Sequence, residues 1–137
     1  MATFNKFQPF VENVAEKVHN LGSDQLVVAL SNTAPVATNS ILTDITEISY
    51  TNLSTRNITT TSSAQTSGTY KLTLTDLILT ATGSVGPFRY IVVYNDTPTS
   101  PADPLVAYYD YGSSVTLNNG DTFTIDFDAT NGFLTIA

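Results

Sequence analysis

Residues 69–94, TYKLTLTDLILTATGSVGPFRYIVVY, decide the fold. Tyr70, Leu72 and Leu74 alternate with Lys71, Thr73 and Thr75, the two-residue period of a strand with one buried and one wet face. Leu77, Leu79 and Ala81 resume the alternation after Asp76, which reads as one long strand carrying a bulge. Phe88–Tyr94 (FRYIVVY) is apolar on both faces and is therefore expected at the centre of a sheet.

Toward higher numbers, Asp96–Pro104 holds three prolines and reads as a surface loop. Leu105–Tyr111 is the next strand. Val115–Leu117 and Phe123–Phe127 flank Asn118-Asn119-Gly120-Asp121, and Asn-Gly is a strong hairpin signal. Asn131-Gly132 is a second such turn before a strand at Phe133–Ala137. Toward lower numbers, the Ser/Thr/Asn-rich stretch Thr51–Gln65 carries an edge strand at Asn57–Thr61. Ile41–Tyr50 fits a short helix or a loop, Asn32–Ser40 a loop, and Gln25–Ser31 a strand. Pro9 suits the start of a helix. Phe10, Val11, Val14, Ala15, Val18 and Leu21 follow at three- and four-residue spacing. With Gly22 as C-terminal cap, the spacing predicts a helix over 9–20, behind an arm at residues 1–8. The expectation is one domain over 1–137, all-β apart from that short amphipathic helix. Its β-domain, 25–137, would be a β-sandwich or a jelly-roll-like barrel of seven to eight strands.

Composition narrows the function. The 137 residues are 42% hydrophobic, enough for a packed core without cross-links, and only 12% charged, about half the usual share. The formal charge is −7, and the cations Lys6, Lys17, Arg56, Lys71 and Arg89 are scattered singly. A phosphate-binding surface needs clustered Lys and Arg, so direct nucleic-acid binding and attraction to anionic membrane are excluded as expectations. There is no cysteine, hence no disulfide or thiolate chemistry. Neither a signal-peptide core nor a membrane-span-length apolar run appears, so a soluble protein made in the cytoplasm is expected.

Chemistry is sparse. The single histidine, His19, falls in the expected last turn of the helix, where the dipole favours it. Gly83-Ser84-Val85-Gly86 lacks the spacing of a nucleophile elbow, and no phosphate-binding glycine loop exists. Asp76, Asp110, Asp121, Asp126 and Asp128 are the acids a glycosidase would draw on. Asp126 alternates away from Phe123, Ile125 and Phe127, as solvated surface does. Asp126–Gly132 resembles the opening of a calcium loop, but its glycine falls one position late and no closing Glu follows. It reads as a turn. The sequons at Asn52, Asn57 and Asn95 read as accidents of composition. No catalytic residue, cofactor or metal is expected. The aromatic side chains Tyr108, Tyr109 and Tyr111, and Phe4, Phe7 and Phe10 at the N-terminus, are the candidate interface.

Phe10–Asp24, FVENVAEKVHNLGSD, continues into QLVVALSNTAPVATNSILTDITEI. Together with GPFRYIVVYN at Gly86–Asn95 and YDYGSS at Tyr109–Ser114, it resembles a family of small virion proteins of tailed bacteriophages. Relatives often carry a glycine-rich stretch where this chain has Ser49–Thr60. The resemblance implies a capsid decoration (cement) protein at the virion surface, commonly trimeric, whose partner is the major capsid protein. The alternative is a tail- or fibre-associated module that binds a receptor or glycan. A further expectation is that deleting residues 1–8 abolishes particle binding and leaves the domain folded.

Overall fold

The apolar run Phe88–Tyr94 does sit at the centre of a sheet. A computed structural model of the chain describes residues 2–137. In chain order its elements are β1 (Thr3–Lys6), α1 (Gln8–Ala15), β2 (Leu26–Ser31), a 3-10 turn (Leu42–Asp44), β3 (Thr60–Thr66), β4 (Thr69–Leu74), β5 (Leu77–Thr80), β6 (Val85–Asn95), β7 (Leu105–Leu117), β8 (Thr122–Ile125) and β9 (Leu134–Ile136). The described residues thus form an all-β fold with one short helix. There are nine strands, against the seven to eight expected. All pairings are antiparallel, in a four-stranded sheet ordered β1-β7-β6-β2, a three-stranded sheet β3-β4-β9 and a two-stranded sheet β5-β8.

The sheets pack as a sandwich. Leu26, Val28, Leu30, Ile91 and Val93 of the four-stranded sheet meet Leu72, Leu74, Leu79, Ile125, Phe127 and Phe133 from the smaller sheets and their connections. A second, smaller core lies on the other face, where Val27, Ala29, Val92, Tyr94 and Leu105 pack against Phe7 and Ile45. Both faces are therefore covered, which is why β2 is buried along its whole length. Its outer edge is closed as well. The Val28 N–H donates to the Arg56 carbonyl and the Ile58 N–H to the Leu26 carbonyl, both at 2.9 Å, while the Arg56 guanidinium reaches the Val28 carbonyl. Edge groups left bare would cost free energy or recruit another chain.

A bulge decides which tyrosines face which core. Val93 pairs with Ala107 but Tyr94 pairs with Leu105, so Val106 is an extra residue in β7. A one-residue slip changes the face on which later side chains point. Tyr109 consequently packs on the larger core and Tyr108 on the smaller.

Several expectations are corrected. Residues 69–81 are not one bulged strand: β4 and β5 belong to different sheets. The chain breaks at Asp76, whose carboxylate accepts the Phe127 N–H at 3.0 Å. Asn118–Asp121 is a tight turn, closed by the Asp121 N–H on the Asn118 carbonyl at 2.9 Å, but not a hairpin, because β7 and β8 lie in different sheets. It is a corner between layers, tied to the end of β5 through Ala81. Leu105–Leu117 is a single strand. The edge strand placed at Asn57–Thr61 lies instead at β3 and joins β4 through Ser67-Gly68, both with positive φ, as a two-residue hairpin turn requires.

The helix ends at Ala15, not at residue 20. Lys17 takes the left-handed conformation (φ 69°), the Lys17 N–H donates to Val14 and the Val18 N–H to Asn13. That is a Schellman closure in which Lys17 occupies the position expected of Gly22. The arm expected at residues 1–8 begins with Met1, outside the described residues; Thr3–Lys6 are strand β1, paired from Thr3↔Asp110 to Lys6↔Ala107. The exposed surface, 7130 Å², is close to the roughly 6,900 Å² of a compact monomer of this mass.

Candidate interaction surface

β1 positions the aromatic residues at the N-terminus on opposite sides of its sheet. Phe7 is fully buried in the smaller core, its ring 5.2 Å from Tyr108. Phe10 is buried in the larger core beside His19, at 5.0 Å. Phe7 is not presented to a partner, which corrects its place in the candidate interface; Phe10 is buried but forms part of the floor of the groove between β1 and β9. Phe4 is different: it is 39% exposed and lies edge-on to Tyr109 and Phe133, at 5.7 and 5.4 Å. Tyr108 and Tyr109 are half-buried, and Tyr111 is exposed with its ring 5.2 Å from Phe123.

Phe4 and Phe133 stand between two adjoining depressions. One, of about 420 Å³, is lined by Phe4, Tyr109, Tyr111, Phe123 and Phe133 together with Asp126 and Asp128. The other, of about 560 Å³, runs between β1 and β9 over Phe10, Val11, Val14, Val106, Leu134 and Ile136. Val11 (52% exposed) and Ile136 (42%) are among the most exposed large hydrophobic side chains described. Both β1 and β9 end their sheets and are paired on one side only. Apolar side chains gathered beside open strand edges are the features of a docking surface.

The sequence did not reveal Phe123, Phe133, Val11 or Ile136 as part of this surface. Alternation places Phe123 and Ile125 on one face. Only the pairing of β5 with β8 and of β4 with β9 brings them near Phe4 and Tyr111. The spacing places Val11 in the buried stripe, but Phe10 is the residue the helix buries, and Val11, one position on, is 52% exposed.

Of the acids a glycosidase would draw on, Asp126 and Asp128 line one depression, while Asp76, Asp110 and Asp121 are engaged elsewhere. Asp110 accepts both Arg89 Nε (2.8 Å) and Nη2 (3.1 Å), and that guanidinium, with the Gly112 N–H, holds its carboxyl below the usual range. Asp121 caps its own turn at Asn118. Asp128 accepts the Asn131 N–H (3.0 Å) and Nδ2 (2.8 Å), which hold its carboxyl below the usual range. Among the described residues no three His, Cys, Asp or Glu side chains gather as metal ligands. No helix among them is long and apolar enough to cross a membrane.

His19 lies beyond the helix rather than in its last turn. Its Nδ1 accepts from Asn95 Nδ2 at 3.0 Å, and Asn95 also donates to Asp24 at 2.7 Å. The motif residues HNLGSD and YN therefore meet in one buried knot. Arg89 and Asp110 likewise join GPFRY to YDYGSS across paired strands. The residues carrying the resemblance serve both fold and surface, since Phe10, Val11, Val14, Tyr109 and Tyr111 also line the two depressions. No protein-family model matches the chain, and neither a curated protein nor a solved structure does.

Proposed function

We propose that this chain is a structural virion protein of a tailed bacteriophage, a capsid decoration protein that binds the shell of major capsid protein as a homotrimer. The observation that supports it best is the apolar groove between β1 and β9, with Val11, Phe4 and Ile136 exposed beside two open strand edges. A protein with this face works by being covered. The motif resemblance across residues 10–48, 86–95 and 109–114 supplies the shell as the partner.

The test is co-sedimentation of the purified chain with empty expanded shells of the parent phage. Saturable occupancy is expected, and Val11→Asp or Ile136→Asp should remove it while leaving the circular dichroism spectrum unchanged. A wild-type chain that stays in the supernatant sinks this reading. Analytical ultracentrifugation of the free protein decides between trimer and monomer.

A second reading is a tail- or fibre-associated module that binds a glycan. Tyr111, 45% exposed, beside Tyr109, Phe123 and Asp126 offers ring faces and an acceptor to a sugar. Selective retention on a glycan array, lost in Tyr111→Ala, is the outcome this reading requires.

A further inference from the structure

The two depressions adjoin, sharing Phe4, Gly132 and Phe133 in their linings, and together make an interrupted trough. Its halves differ in chemistry. The half between β1 and β9 is apolar, with Lys6 as its one basic lining residue. The other half carries five aromatic rings and the carboxylates of Asp126 and Asp128, and no Lys or Arg lines it.

Those carboxylates are held without a direct ion pair, though Lys71 acts on Asp128 from outside the pocket. Asp126 accepts the Asp128 N–H at 2.7 Å, Asp128 accepts from Asn131, and neither forms an ion pair among the described residues. Ring faces carry negative potential, so rings and carboxylates together favour a cation on an apolar stem. The potential registers on Tyr109, whose hydroxyl is pushed up first by burial and then by Asp126 and Asp128. The cation–π pairs among the described residues lie elsewhere, Arg56 on Tyr50 and Arg89 on Tyr90. The aromatic pocket has rings, acids and space; the cation that acts on it, Lys71, lies outside its lining with Nζ on the Thr130 carbonyl at 3.2 Å.

We propose that the trough takes an extended segment of a partner protein, with apolar side chains between β1 and β9 and a Lys or Arg side chain in the aromatic pocket against Asp126 and Asp128. Strand edges at β1 and β9 supply main-chain hydrogen bonds to such a segment, and the pocket selects its side chain. Lys6 in one half and the acids in the other give the trough opposite charges along its length, which fixes the direction of the segment. This rests on reading the face as an assembly surface, but not on the partner being a shell.

The experiment titrates the isolated full chain, followed by amide and aromatic NMR, with three probes. They are the capped hexapeptide Leu-Val-Leu-Arg-Val-Thr, its counterpart with Gln for Arg, and the n-butyltrimethylammonium ion. The Arg peptide should bind about tenfold more tightly than the Gln peptide, the scale of one desolvated cation–π contact. Its shifts should centre on Phe4, Tyr109, Tyr111 and Phe133. Asp126→Asn, which keeps the acceptor for the Asp128 N–H, should remove most of the difference between the peptides. Equal affinities, no saturable binding of the Arg peptide at millimolar concentration, or shifts centred elsewhere would overturn the proposal. So would n-butyltrimethylammonium binding as tightly as the peptide, which would make the occupant a small organic cation. A stable oligomer at neutral pH that Ile136→Asp dissociates would overturn it too, by making the occupant a second copy. The titration needs no shell, so it stands or falls apart from particle occupancy.

Discussion

Asn95 is fully buried, and both ends of its amide are engaged: Nδ2 donates to His19 and Asp24, and Oδ1 accepts the Thr97 N–H at 3.1 Å. Asn95→Ala strands those partners and should cost about 1–3 kcal/mol, read as a lower urea midpoint. With Asn95 donating to Nδ1, the His19 ring fits as the neutral tautomer, whose Nε2 is buried without a hydrogen-bond partner. Burial lowers its pKa, and Asp24 only partly opposes that. The unfolded chain, whose histidine titrates near the ordinary 6.5, therefore binds the proton more readily than the folded one. The stability His19 contributes is complete above that pH and falls as pH drops from there through its lower folded value. Urea midpoints at neutral and mildly acid pH should show this loss. The loss should shrink in His19→Gln, and an unchanged slope would show that His19 does not carry it.

At the scale of elements, β1 is a working strand of the four-stranded sheet and not a free arm. Phe7→Ala empties a fully buried site and should lower stability by about 3–5 kcal/mol. Phe4→Ala should cost clearly less, since much of that ring stays in water. Thermal melts of the two variants give the comparison. Deleting residues 1–8 removes both β1 and Phe7, so the domain should melt far earlier, and loss of particle binding would then reflect unfolding. The sequence made some elements plain for physical reasons. β6 is apolar on both faces because both cores touch it; β4 alternates in sequence with Lys71 exposed, although Thr73 on the same face is buried. Other elements left little trace. β3 is almost wholly exposed, so no hydrophobic period marks it; only Ser67-Gly68 announces its turn. The helix end was hidden because a lysine takes a conformation that normally signals glycine. The aromatic half of the trough was legible only as a list of rings, since the pairings that bring Phe123, Phe133 and Phe4 together are long-range.

Across the whole molecule, charge and shape work together. A formal charge of −7 keeps copies apart while an apolar face is exposed. Solubility should pass through a minimum near the isoelectric point of about 4.2 and recover above it, which light scattering across a pH series can follow. Ile136→Asp should blunt the minimum by weakening the apolar contact that forms once repulsion is gone. Equal scattering from the two proteins would place the self-contact on another face.

The two walls of the groove come from residues 3–6 and 134–136. During synthesis the first wall waits for Ala107–Asp110 before it has a strand to pair with, and the second is made later still. A ribosome that stalls before residue 134 releases a chain with one wall missing. Such fragments therefore cannot present the surface, and binding through it would screen them out.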